Sequence, residues 1–313
     1  FLAELGLRRA AAMCACALDP APVYVARGRS GVSADRVSSR LGEIGANPEP
    51  TGLPDSWRLS SGASLAGSGL VSSCDVAVAD LSAQLVCRVA APCTGRVLEV
   101  GQGRGTKSLL LARAMEELGA EPCVCGCELV ASKVRQSAAR MERAGLSCSV
   151  SCVEFDGTRL AEQDELPEAL SGSFESVLVD APCSGVGTMR RHPEIAWALD
   201  ESALSGGPET LASLQLSLLR AASARVAPGG ALVYATCSVL SCENEDVVDA
   251  FLASEEGSGF QLAGVLDAPG VASLPDEGRA LVSPWVDERG MFQSVPAADG
   301  PDGHFCARLV RVS

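Results

Sequence analysis

The sequence predicts an α/β fold in which a largely parallel sheet carries helices on both faces, preceded by a small α+β domain. Three features of the 313-residue chain carry that expectation. From Arg96 onward, apolar runs of strand length alternate with segments of helical periodicity. The runs are nearly continuously apolar, as in strands covered on both sides. Each also ends at or beside an acidic residue or a cysteine, and the carboxyl ends of an open parallel sheet are where its ligands bind.

Taken in order, "PVYVARG" (22–28) reads as a strand and "SADRVSSRLGEIG" (33–45) as a helix that Ser33 can cap. "DSWRLSSG" (55–62) reads as a second strand. A Gly/Ser-rich stretch, "SSGASLAGSGLVSS" (60–73), then leads to "VAVADLSAQLVCRVA" (76–90), the start of the larger domain. The expected division is therefore residues 1–73 and 74–313. In the larger part the strands are "RVLEV" (96–100), "CVCGCEL" (123–129), "SVSCVEF" (149–155), "ESVLVDA" (175–181) and "GALVYATCS" (230–238). Between the first three lie "KSLLLARAMEELGA" and "ASKVRQSAARMERAGL", both helical in spacing and both with a glycine near the end, giving a βαβαβ run. Residues 253–303, rich in Gly, Pro and acids, read as loop with short strands, and "HFCARLVRV" closes the sheet.

Composition bounds the function. A chain of this length can bury a large core. No apolar run approaches the roughly 20 residues that a membrane-spanning helix needs, "GGALVYATCSVL" being too short, so no membrane partner is expected. Fourteen cysteines are scattered without a disulfide framework, which fits a reducing, cytoplasmic setting. The net charge of −14 argues mildly against nucleic acid, but residues 1–73 carry +1 and leave −15 for the remainder. The chain opens on Phe1 rather than Met, so its natural N-terminus is expected upstream.

In "VLEVGQGRGTKS", Glu99 at a strand end precedes Gly101, Gly103 and Gly105 at a helix start. Glycines there let backbone approach a ligand, and the helix start offers free amides. The spacing is neither the dinucleotide nor the phosphate-loop pattern, and a glycine turn without a ligand is the plain alternative. Glu128, Asp156 and Asp180 end the next three strands. One such acid is ordinarily a helix cap, but four would converge on one crevice. An acidic crevice suits a cofactor with ribose hydroxyls, an adenine amine and a positive centre, such as S-adenosylmethionine, better than a polyphosphate. "CVCGC" puts Cys123, Cys125 and Cys127 on one strand face, a core pattern rather than a zinc site, and no metal is expected. With only His192 and His304, and no G-x-S-x-G elbow, a serine hydrolase is disfavoured. Cys183 and Cys237 each fall at a strand end near the crevice, where a buried structural cysteine is the usual reading for one and a chemical role the better reading for two.

With these motifs in order, the chain resembles the Sun/Fmu family of S-adenosylmethionine-dependent RNA cytosine-5 methyltransferases, especially its bacterial RsmB type. The most specific segments are "DAPCSGVGTMRRHPEIAW" and "ATCSVLSCENE". The resemblance implies a Rossmann-like class I methyltransferase sheet behind a small RNA-binding domain. It also implies that Gly101, Gln102, Gly103, Arg104, Gly105, Thr106 and Lys107 form the cofactor loop. Glu128 would hold the ribose, Asp156 approach the adenine, and Asp180 lie between methyl donor and cytosine. By the same resemblance Cys237 is the nucleophile that adds to carbon 6 of cytosine, and Cys183 serves release of the adduct. Arg190 and Arg191 become candidates for RNA contacts. The chain departs from the family where "GQGRGTK" replaces a run like C-A-A-P-G-G-K, and where Glu128 stands for the usual aspartate. The RsmB type carries a helical NusB-like domain upstream, of which "FLAELGLRRAAAMCACAL" looks like a remnant.

The expected substrate is 16S rRNA, and the expected state a monomer. The same chemistry on tRNA stays open, because the catalytic motifs do not choose between the two. A non-catalytic RNA-binding ribosome-assembly factor is the alternative of another class.

Overall fold

The computed structural model describes residues 2–162, 166–204 and 207–312. The chain begins with α1 (Leu2–Cys16), whose Met13 packs with Val186 and Val239 of the later domain. There follow β1 (Val23–Arg27), α2 (Ala34–Glu43), β2 (Glu49–Pro50), β3 (Ser56–Leu59) and β4 (Val76–Val78). These strands form an antiparallel sheet in the order β2-β3-β1-β4. Helix α2 starts as the sequence predicts: Ser33 Oγ accepts the Arg36 amide at 3.3 Å, and Val37 and Leu41 turn into a core with Val25, Trp57 and Leu59.

Strand β4 lies past the boundary expected after residue 73. It pairs with β1, Val78 opposite Val25, so the small sheet runs on to Val78. Val76 completes the small core beside Leu70, and a three-residue apolar run carries no signal of which sheet it joins. Helix α3 (Leu81–Ala90) then lies between the two sheets with every residue buried, and its polar side chains Ser82, Gln84 and Arg88 are each hydrogen-bonded there.

The second sheet comprises β5 (Val97–Val100), β6 (Val124–Glu128), β7 (Val150–Glu154), β8 (Phe174–Asp180), β9 (Val226–Thr236), β10 (Phe260–Ala263), β11 (Phe292–Ser294) and β12 (His304–Arg311). Its order is β10-β12-β9-β8-β5-β6-β7, with β11 added alongside β12. Strands β5 to β9 are mutually parallel, and β12 inserts antiparallel between β9 and β10. The remaining helices are α4 (Thr106–Glu117), α5 (Ala131–Ala144), α6 (Ile195–Ala198), α7 (Leu211–Ser223), α8 (Glu245–Leu252), α9 (Pro269–Ala272) and α10 (Asp276–Val282). Residues of α3, α4 and α5 pack on one face of the sheet, and residues of α7 and α8 on the other. The segment read as loop with short strands holds α9 and α10 as well, helices too short to show a period.

The chain leaves β5 in one direction to lay down β6 and β7, then returns to place β8 on its other side. That reversal opens a crevice at the carboxyl ends of β5 and β8.

Candidate active site

A cleft of about 860 Å³ occupies that crevice, and Tyr24 and Val78 of the small domain form part of its rim. Its first half is the glycine loop. Gly101 has φ 85, and a Cβ there would lie 2.4 Å from the carbonyl oxygen of Asp180, so only glycine lets β5 and β8 stay this close. Gly105 has φ 74, and a Cβ would meet Ser137 Oγ at 2.3 Å. The Gly103 amide donates to Glu128 Oε2 at 2.9 Å and the Val130 amide to Oε1 at 2.9 Å, which orients that carboxylate at the end of β6. Asp156 is tied similarly, its Oδ1 accepting the Thr158 amide at 3.0 Å.

The second half holds the chemistry-bearing groups. Lys107 Nζ lies 2.7 Å from Asp180 Oδ2. Burial acts to lower the Lys107 pKa, but the Asp180 carboxylate outweighs it and holds the amine protonated. Cys183 and Cys237 bring their Sγ atoms to 3.3 Å. The contact with Cys183 is the largest influence on the Cys237 pKa and lowers it, against burial and the Asp180 charge and with help from Lys107. Partnership with Cys237, together with burial, holds Cys183 well above the ordinary thiol range. The pair therefore favours a thiolate on Cys237 and a thiol on Cys183.

One buried carboxylate that sequence reasoning left unassigned joins the two cysteine loops. Glu243 accepts the Ser184 amide at 2.8 Å, Ser184 Oγ at 2.5 Å, Ser238 Oγ at 2.5 Å and Gln215 Nε2 at 3.1 Å. Ser184 follows Cys183 and Ser238 follows Cys237, so Glu243 fixes the residue after each thiol. Asn244 supports it: Thr236 Oγ1 donates to Asn244 Oδ1 at 2.6 Å, and Asn244 Nδ2 donates to the Ser238 carbonyl at 3.1 Å. The available signal was the acid-amide-acid run of "CENE" a few residues after Cys237.

The profile of the family described as "16S rRNA methyltransferase RsmB/F" matches residues 89–310. The chain belongs to the RsmB/F family. Relatives include a ribosomal RNA small subunit methyltransferase B of Enterobacter sp. (strain 638), 37% identical over 44% of this chain and 26% of its own length. Another, from Salmonella arizonae, is 30% identical over 75% of this chain and 47% of its own. The chain thus spans less than half the length of either relative. Among solved structures, a methyltransferase homologue from Pyrococcus horikoshii superposes with a TM-score of 0.73 at 19% identity, covering 99% of this chain and 92% of its own. NSun6 from the same organism, solved with SFG, gives 0.77 at 15% identity, covering 100% and 96%. The fold is that of the Rossmann-like class I methyltransferases.

All the loop, acid and thiol positions described above fall inside the region matched to RsmB/F, whereas β1 to β4 lie before it. Of the residues expected at the cofactor, Gly101, Gly103, Lys107, Glu128, Asp156 and Asp180 line the cleft, and Cys183, Cys237 and Arg191 line it too. Glu99, Gln102, Arg104, Gly105 and Thr106 do not line it. Glu99 sits one residue before the strand end and points into the layer beneath, where it is fully buried and accepts Ser108 Oγ. Burial pushes its pKa up to about 8, against the Ser108 hydrogen bond. Gln102 turns the same way, its Nε2 donating to Ser108 Oγ at 3.0 Å in the space left by Gly126. Thr106 Oγ1 accepts from Arg140, and Arg104 is exposed on the outside of the loop. These residues brace the loop from behind.

Both arginines of the pair are engaged within the chain. Arg190 donates to the carbonyls of Ala297 at 3.1 Å, Ala298 at 3.3 Å and Gly300 at 2.8 Å, with its side chain 1% exposed. It anchors the 297–302 loop. Arg191 reaches the cleft, but it is bound by Asp302, by the Pro22 carbonyl at 2.7 Å and by Asp80 at 3.3 Å, linking the two domains. The strand cysteines Cys125 and Cys127 are buried in the core beside Leu98 and Val177. Among the described residues there is no His/Cys/Asp/Glu group able to hold a metal, and no helix long and apolar enough to cross a membrane.

Proposed function

We propose that this chain transfers a methyl group from S-adenosylmethionine to carbon 5 of a cytidine in RNA, foremost 16S rRNA, through a covalent adduct on Cys237. The observation that carries this reading is the thiol pair at 3.3 Å with the Lys107–Asp180 pair beside it.

The residues of the cleft fit the cofactor. Gly101 and Gly103 leave bare backbone where a nucleoside chain would pass. Each Glu128 oxygen accepts one amide and keeps a lone pair for a ribose hydroxyl. Asp156 faces the same half, where an adenine amine could be received. The two lysines of the cleft are each near a carboxylate, Lys107 at 2.7 Å and Lys133 at 3.8 Å, so there is no cationic cluster for a polyphosphate. When bound, S-adenosylmethionine supplies the electrophilic methyl group.

Carbon 5 of cytosine is a poor nucleophile, so the Cys237 thiolate first adds to carbon 6. Asp180, held by Lys107, receives the amidine edge of the pyrimidine and stabilises its protonated form as charge develops. After methylation the carbon 5 proton passes to water, the carbon–hydrogen electron pair re-forms the 5,6 double bond, and the carbon 6–sulfur bond breaks with its electrons returning to Cys237 as thiolate. Cys183, which keeps its proton, hydrogen-bonds the departing sulfur. A base must leave its stack to reach this depth, and the small domain beside Tyr24 is the RNA-binding unit of the reading.

The test is to incubate Cys183→Ser with S-adenosylmethionine and either 16S rRNA or tRNA, then look for a denaturant-resistant protein–RNA adduct. The expected result is an adduct on 16S rRNA that disappears when Cys237→Ala is added. An adduct on tRNA alone reassigns the substrate. Cofactor binding with no adduct on either RNA overturns the covalent mechanism, and absence of cofactor binding favours an assembly factor.

A further inference from the structure

His304 is absent from every role assigned so far. It is the first residue of β12, and the β9–β12 register pairs Phe305 with Thr236 and Cys306 with Ala235. The next position outward sets His304 beside Cys237. Ala235 in turn pairs with Asp180 on β8, so the alternation of a strand puts Asp180, Cys237 and His304 on one face at one edge of the sheet.

His304 lines the cleft and is 7% exposed. Its backbone is fixed by the amide donating to Ser294 Oγ at 3.0 Å. Its Nδ1 is buried without a partner. Buried polar groups are nearly always partnered, so an orphan in an active cleft calls for an explanation. Several polar groups at this end are occupied: Lys107 by Asp180, Arg191 by Asp302 and Asp80, the two thiols by each other, and the Tyr24 hydroxyl by the Asp299 carbonyl at 3.3 Å, while Asp302 Oδ1 is, like His304 Nδ1, buried without a hydrogen bond. Burial first, and Lys107 second, push the His304 pKa down to about 4, so the ring is neutral. A buried N–H without an acceptor is rarer than a buried lone pair without a donor. We assign the proton to Nε2, which leaves the lone pair on the buried Nδ1.

We propose that His304 belongs to the target-base pocket and donates a hydrogen bond from Nε2 to the 2-carbonyl of the pyrimidine. This rests on the cytosine reading above. Asp180 can receive the amino and ring-nitrogen edge of that base, which leaves the 2-carbonyl in want of a donor, and His304 stands on the same face to supply it. The bond orients carbon 6 toward Cys237 and adds a contact that a neutral side chain can make without competing with Lys107 for Asp180.

The experiment compares wild type, His304→Phe and His304→Gln on 16S rRNA transcribed with cytidine or with 2-thiocytidine, whose sulfur accepts hydrogen bonds weakly. His304→Phe is expected to lower kcat/KM on the cytidine RNA by roughly 10- to 100-fold, the range for a lost buried hydrogen bond. S-adenosylmethionine affinity should be unchanged by calorimetry, and His304→Gln, which keeps an N–H donor, should recover most of the loss. Thio-substitution should slow wild type and leave His304→Phe nearly indifferent. Equal penalties for thio-substitution in wild type and His304→Phe would overturn the proposal, as would an unchanged kcat/KM in His304→Phe. A wild type that binds cofactor but methylates neither RNA overturns the cytosine reading itself, a result distinct from either of these.

Discussion

Replacing Glu243 by alanine tests whether the two thiols are set by one buried carboxylate. The side chain is 0% exposed and accepts four hydrogen bonds, at 2.5 to 3.1 Å. Two donors are serine hydroxyls, which can rotate toward another acceptor. The Ser184 amide and the Gln215 amide nitrogen cannot turn away so freely. Each buried donor left without an acceptor costs about 1–3 kcal/mol, so the pair gives about 4 kcal/mol. For a chain of this size that lowers Tm by roughly 6 °C, since the unfolding entropy scales with length. Glu243→Gln keeps one acceptor oxygen, and a serine hydroxyl can turn to accept from its NH2, so its cost should be about 1 kcal/mol. The geometry of the thiols should respond more sharply than stability. With Ser184 and Ser238 both released, the 3.3 Å contact is no longer enforced, and misplacement by about 1 Å can slow a reaction about 100-fold. The assay is thermal unfolding together with single-turnover methylation at saturating cofactor. Glu243→Ala should lose both properties and Glu243→Gln should keep most of each. A Glu243→Ala protein with wild-type Tm and wild-type turnover would refute the reasoning.

Three further expectations follow from the same groups. Glu99, with its pKa raised from 4.5 to about 8, contributes stability that is complete below about pH 4.5 and is lost as pH rises toward 8. Glu99→Gln should therefore gain on wild type as pH is raised from 5 to 8, measured as the difference in Tm, and a constant difference would show that Glu99 does not titrate in this window. Lys107→Met removes the cation that favours the Cys237 thiolate. Alkylation of Cys237 at neutral pH should slow by about tenfold, the effect of roughly one pKa unit, and an unchanged rate would leave Cys183 as the controlling partner. Gly101→Ala places a Cβ 2.4 Å from the Asp180 carbonyl at φ 85. It should cost about 1–3 kcal/mol by thermal unfolding and weaken S-adenosylmethionine binding by calorimetry; full retention of both would mean the loop can shift without consequence.

The parallel core of the sheet was legible because its strands are apolar throughout and its first two crossover helices are periodic. Helix α7 was less so: "LASLQLSLLRAAS" follows an irregular stretch, and its burial depends on the sheet it covers. The sheet that β4 joins was not legible because β4 is three residues long and pairs with a partner some 50 residues earlier in the chain.

The sequence alone determined which residue types stand at the strand ends: Glu128, Asp156, Asp180, Cys183 and Cys237, all of which line one cleft. Strand-end position is a property of local pattern, and local pattern is written in the chain. Only the tertiary structure decided the direction each side chain takes from there. It turned Glu99 and Gln102 under the loop, committed Arg190 to the carbonyls of a loop about 110 residues away, and brought Glu243 beneath both thiols. It also brought His304, on the last strand, into the same cleft as Cys237. These outcomes depend on sheet register and on which buried donor finds which acceptor, relations between segments distant in sequence that no spacing along the chain records.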